Sequence, residues 1–203
     1  MKYIAIVTIL SLVGLAGACA SSPETTNKTT NTVATNTASN AATTNAAPKT
    51  DNDAPAGIKA VFPDAQAFTT QHKDIPADKI ASIEKDTDSK VPDKDHHSYL
   101  AFSTAGGARK QVGAASIVKV EGKDVIIVYD NKDGSPIIKE VRADGVPAPF
   151  LAQFAGKGHD NDLLLGADIK ASGANEAQAK AITEAVRVDV LTMQALYGSA
   201  HKH

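Results

Sequence analysis

Between residues 98 and 141 the chain leaves helical periodicity for four short alternating runs, at 98–103, 112–120, 124–129 and 136–141. Turn-forming residues separate the last three: Glu121-Gly122-Lys123 before the third run, and Asp130-Asn131-Lys132-Asp133-Gly134 before the fourth. Links this short cannot carry a crossover, so the strands they join must be antiparallel. Ile117, Lys119 and Glu121 alternate with Val118 and Val120, which suits a sheet with one buried face. The run at 125–129 is apolar throughout and is expected to be the central strand.

Helical segments flank these strands. An apolar turn at 58–62 stops at Pro63, and Ile75-Pro76-Ala77-Asp78 opens a second helix that turns Ile80, Ile83 and Val91 inward. Proline at the first helical position and an acid in the first turn both favour that start. The polar stretch 86–97 is expected to be a loop. Phe150, Leu151 and Phe154 share one side of a short helix, and Leu163-Leu164-Leu165 brings the chain back to the core. The last helix is predicted from about Glu176 to Leu196. Ala181, Ile182, Ala185, Val186, Val190, Met193 and Leu196 lie at three- and four-residue spacings, and only Asp189 breaks their apolar stripe. The fold class is α+β: an antiparallel sheet of about four strands packed with short helices and a long C-terminal helix.

The N-terminus has the organisation of a bacterial export signal. Met1-Lys2 is basic, 3–13 is mostly apolar, and small residues lead to the only cysteine, Cys19. A run this short is a signal core and not a membrane span. Leu15-Ala16-Gly17-Ala18-Cys19 resembles a lipobox, whose cysteine is diacylated and becomes the first mature residue, although Ala16 stands where leucine is usual. Ala20, in place of aspartate after the cysteine, resembles lipoproteins sorted to an outer membrane. The competing reading is an ordinary secretory signal cut nearby. Residues 20–55 are almost wholly Thr, Asn, Ala and Ser with Val33 the one branched apolar residue, a composition that cannot bury enough surface to offset ordering. As a flexible coil it would reach roughly 30–35 Å, enough to hold a domain off a membrane surface. The expected organisation is a signal at 1–19, a disordered tether at 20–55 and one folded domain at 56–203, held in the cell envelope facing the periplasm by the lipid on Cys19.

Lys and Arg number 21 against 23 Asp and Glu, giving a formal charge of −2 with both signs mixed along the folded part. No basic face marks a nucleic-acid partner. One cysteine, placed at the N-terminus, permits no internal disulfide and no thiolate metal site in the domain.

The most informative local motif is Ser172-Gly173-Ala174-Asn175, directly ahead of the last helix. A small glycine-containing turn at a helix start offers free N–H groups at the positive end of the helix dipole, where a phosphate can sit. Asn175 is also a favoured N-cap and Glu176 suits the first turn, so the same residues account for helix initiation with no ligand. The opening Ala60-Val61-Phe62-Pro63-Asp64-Ala65, the strands about 118–129, FLAQFAGK at 150–157 and this SGAN element at 172–175 follow one another in an order that resembles the FMN-binding domain of flavin subunits in Rnf-type and sodium-translocating respiratory complexes. The resemblance covers most of 56–198. In that family a Ser-Gly-Ala-Thr-x-Ser/Thr element carries the flavin phosphate on its threonine hydroxyl. Asn175 has no hydroxyl and Ala177 removes the second one, so a phosphoester cannot form here.

The resemblance implies non-covalent FMN at Ser172, Gly173, Ala174 and Asn175, and an electron carrier serving envelope redox proteins, with the cofactor supplying the chemistry. The carboxylate of Glu176 would oppose a phosphate dianion. The alternative is a flavin-free envelope lipoprotein with a binding or assembly role. No catalytic acid, base or nucleophile stands out. Asp93-Lys94-Asp95-His96-His97 offers imidazole and carboxylate ligands, but a solvated loop is the favoured reading and no metal is assigned. His159-Asp160-Asn161-Asp162 lies between FLAQFAGK and SGAN and is expected to border the presumed pocket. Turn chemistry suffices for 130–134, which lacks a calcium loop's spaced oxygens.

Overall fold

The computed structural model describes residues 54–199. The signal, Cys19 and all of the tether but its last two residues lie outside the described residues, as do His201 and His203. Ala54, assigned to the tether, is buried at the foot of the domain.

Five strands form one antiparallel meander in the order β1-β2-β3-β4-β5: β1 Ala67–Asp74, β2 Asp95–Ser103, β3 Lys110–Val120, β4 Lys123–Lys132 and β5 Ser135–Ala143. The four expected strands are present with the short turns foreseen for them. β1 is the addition. Its sequence AFTTQHKD has one large apolar residue, Phe68, which is all that an edge strand with a single neighbour requires. On the opposite edge, β5 accommodates Pro136, whose missing N–H is tolerated there. β3 is the middle strand of the five, while 125–129 lies on β4, which pairs on both sides and is the more buried of the two.

Both sheet faces are covered, in contrast to the single buried face that the alternation suggests. On one face α1 (Ala56–Val61) sets Ile58 and Phe62 against Phe68, Ala101, Ala115 and Val128, with Ile117 and Ile126 packed alongside. The other face carries the larger core. There α4 (Glu176–Tyr197) lies across the sheet, and its Ile182, Val186, Val190 and Met193 meet Val125, Ile127 and Tyr129. The short α3 (Ala148–Leu151) and the 3-10 turn Ala152–Phe154 supply Phe150 and Phe154 to this core, fully buried and edge to face at 5.5 Å between centroids. Of the three leucines at 163–165, Leu163 is buried and Leu164 is exposed.

The second helix, α2 (Ala77–Thr87), begins where proline and Asp78 place it and packs on α4. Its connection to β2 is shorter than the sequence suggests, because 95–97 are strand and not loop. Those three residues pair with β1 through Asp74↔Asp95, Lys73↔His96 and His72↔His97. Among the described residues no helix is long and apolar enough to cross a membrane.

Candidate functional site

The start of α4 is closed upon itself. Asn175 caps the helix as its residue type predicts: Oδ1 accepts from the N–H of Ala177 at 2.9 Å and of Gln178 at 3.4 Å. The Ala174 N–H is engaged too, donating to the Ala171 carbonyl at 2.7 Å. Ser172 and Gly173 both take left-handed backbone, with φ of 39° and 85°, which folds the turn back before the helix. Ser172, Gly173 and Asn175 are exposed and Ala174 is half-buried.

The structure ties this turn to FLAQFAGK through Gln153. Its amide nitrogen donates to the Lys170 carbonyl at 2.8 Å and to Ser172 Oγ at 2.9 Å, while Oε1 accepts from the Lys170 N–H at 2.8 Å. The two segments that the sequence links only by order are therefore latched by one side chain. His159-Asp160-Asn161-Asp162 lies elsewhere. His159, Asn161 and Asp162 line a cavity of about 310 Å³ with Asp86 of α2 and Arg187 of α4, and none of residues 172–175 line it.

The densest polar chemistry is at mid-helix. Asp189, the one break in the apolar stripe of α4, is 4% exposed and collects donors from three strands. Ser116 Oγ of β3 donates to Oδ2, Tyr129 of β4 donates its hydroxyl to the same oxygen at 2.6 Å, and His96 of β2 meets Oδ1 through Nε2 at 2.9 Å. A carboxylate only accepts, so His96 donates to it from Nε2. Its Nδ1, buried, has no hydrogen-bond partner among the described residues. Burial, and then the Asp189 charge beside it, push the Tyr129 hydroxyl well above the usual phenol range.

Further along α4, Tyr197 pairs its hydroxyl with buried Ser98 Oγ at 2.9 Å. Lys73 of β1 stacks its ammonium 3.9 Å from the Tyr197 ring centroid and donates to the Leu196 carbonyl at 3.2 Å, a cation placed at the negative end of the helix.

A cleft of about 680 Å³ opens beside Asp189 and His96. Its origin is a split in the sheet. The β2–β3 ladder ends at Ser98↔Ser116; beyond it Asp95, His96 and His97 pair outward with β1, and 117–120 pair outward with β4. Ile117, Val118, Ala185, Val188, Ile75 and Val91 give the cleft apolar walls, while Lys90, Lys119, Asp124 and Glu184 supply charge. A mostly apolar concavity with a few convergent polar groups is the usual form of a small-molecule site.

The strand pleat divides the histidine run, which is strand and not the expected loop. All three residues reach the cleft, but from two sides: His96 faces α4, whereas Asp95 and His97 occupy the opposite face. There Asp95 Oδ2 accepts from His97 Nε2 at 2.8 Å and from His72 Nδ1, across the ladder, at 3.2 Å. These bonds, His72 first and then His97, hold the Asp95 carboxyl below the usual carboxylate range. Nothing local in the sequence marks His72, Ser116 and Tyr129, whose partners lie far along the chain; only strand geometry at 95–97 separates His96 from His97.

No protein-family model, curated protein or solved structure matches the chain. What the structure shows is an α+β architecture with a cleft beside Asp189 and His96.

Proposed function

We propose that the domain is a binding module, tethered in the bacterial envelope by a lipid on Cys19, that takes a small, largely apolar ligand into the cleft beside His96 and Asp189. The observation that carries this reading is the buried His96 Nδ1, a polar atom with no hydrogen-bond partner among the described residues, on a ring that lines a mostly apolar cleft. A ligand with one hydroxyl or amide donor and an apolar body matches that setting. Asp189 fixes the tautomer and orientation of the imidazole, and Tyr129 and Ser116 hold the carboxylate in turn.

The test is native mass spectrometry of the protein purified from envelopes, together with its visible spectrum after incubation with FMN. The expected result is an organic adduct that disappears in Ala185→Trp, which fills the cleft from α4, and no flavin absorbance. FMN retained stoichiometrically through gel filtration would overturn it.

The second reading, a non-covalent flavin electron carrier for envelope redox partners, is favoured by the Gln153 latch, which joins the two segments that resemble the FMN-binding domain. Against it, three N–H groups near the start of α4 are already engaged by Asn175 and Ala171.

A further inference from the structure

We propose that His72, Asp95 and His97 bind one divalent first-row transition-metal ion, with Zn²⁺ as the reference case, on the face of the β1–β2 pair opposite α4. His72 and His97 are direct cross-strand partners, and Asp95 lies two residues from His97 on the same face. The rings approach to 4.1 Å between centroids. Eight consecutive ladder pairs fix the two strands, so the backbone positions of all three residues are set before any ligand arrives.

One donor atom from each residue lies within 4.8 Å of the others, and Asp95 Oδ2 is already 2.8 Å from His97 Nε2 and 3.2 Å from His72 Nδ1. Tetrahedral zinc, with bonds of about 2.0–2.2 Å, spaces its ligands roughly 3.3–3.5 Å apart. Reaching that spacing takes small side-chain rotations, and all three side chains are partly exposed and able to make them. Each imidazole now directs an N–H at a shared oxygen. In the other tautomer the same nitrogens present lone pairs, and a cation between the rings and the carboxylate takes the place of the two shared protons through coordinate bonds.

Two imidazoles and a carboxylate are a donor set for Zn²⁺, Cu²⁺, Ni²⁺ or Fe²⁺ and a poor one for Mg²⁺ or Ca²⁺. Three protein ligands leave coordination positions for water or an incoming donor. Asp95 and His97 also line the cleft, so the cation would stand at its edge. The cation site does not depend on what fills the cleft.

The experiment titrates the full chain with Zn²⁺ by calorimetry and with Co²⁺ by visible absorption. Cys19→Ser and the pair His201→Ala, His203→Ala serve as controls for other soft ligands. One equivalent is expected to bind with a Co²⁺ spectrum lacking thiolate charge transfer. Affinity should fall by on the order of 100-fold or more in His72→Asn and His97→Asn, and stay unchanged in the controls. Absence of saturable binding below millimolar metal, or equal affinity in His72→Asn, His97→Asn and the unaltered chain, would overturn the proposal. Should a variant fail to fold by circular dichroism, substoichiometric Cu²⁺ on the unaltered chain decides. The ring-proton signals of His72 and His97 are expected to broaden first, and broadening that spares them refutes the site.

Discussion

The two polar features of α4 solve the same problem in opposite ways. At its N-terminus Asn175 satisfies N–H groups two and three residues away, and the turn before it is held by Gln153 from the neighbouring segment. Fourteen residues on, about 21 Å along the axis, Asp189 makes no such local bond and draws Ser116, Tyr129 and His96 from three different strands. The first is a local closure that fixes where a helix begins. The second fastens the helix to the sheet, and it sits beside the cleft. A motif that resembles a ligand site in the sequence caps a helix, while a single carboxylate in an apolar stripe ties three strands together beside the cleft.

The largest effect should come from the hub. Asp189→Ala leaves a hydroxyl pair and an imidazole facing a void, and a loss of about 3–5 kcal/mol in urea unfolding is expected. A cost no greater than that of removing the cap would erase the contrast between the two ends. Asn175→Ala should cost about 1 kcal/mol, with the effect confined to the first turns of α4 as read by amide hydrogen exchange.

The hub should also be visible at high pH. Tyr129 has its folded pKa raised, so its stabilising contribution is complete below about pH 10, the ordinary phenol value, and is lost as pH rises through the folded value. Unfolding free energy of the wild type should therefore fall more steeply above pH 10 than that of Tyr129→Phe. Identical slopes would mean that the phenol is not held neutral by Asp189 and burial. At the other end of the scale the depressed Asp95 contributes stability that is present above the usual carboxylate range and is lost as pH falls through its folded value. The difference between wild type and Asp95→Asn should shrink on acidification from pH 5 to pH 2. It should be small throughout, because the pair is exposed.

A last experiment sharpens the comparison from the flavin side. Asn175→Thr with Ala177→Ser restores both hydroxyls of the element it resembles, and coexpression with a flavin transferase should add the mass of one FMN moiety. An unchanged mass in the folded protein would weaken the resemblance, while leaving the cap and the hub untouched.

Much of the architecture was legible in the chain. Turn residues at 121–123 and 130–134 separate runs too close for a crossover, so the meander from β3 to β5 follows from local chemistry. β1 was hidden because an edge strand made of Thr, Gln, His and Lys carries almost no hydrophobic period. The true start of β2 was hidden for the same reason: Asp95-His96-His97 has the composition of a loop, and only pairing with β1 makes it strand. Of the site, Asp189 was visible as the interruption of a stripe, but nothing near it in the sequence named its partners.

By itself, the sequence determined the α+β class, the antiparallel order of its later strands, the start of α4 at an Asn175 cap, and the impossibility of a phosphoester at that position. Each of these depends on residues within a few positions of one another, where spacing translates directly into geometry. Tertiary structure alone decided that Asp189 gathers groups 60, 73 and 93 residues away, that the pleat sends His96 and His97 to opposite faces, and that the sheet splits between β2 and β3 to leave a cleft. Those contacts exist only once the chain has folded back on itself, and no local pattern encodes which distant side chain will stand opposite which.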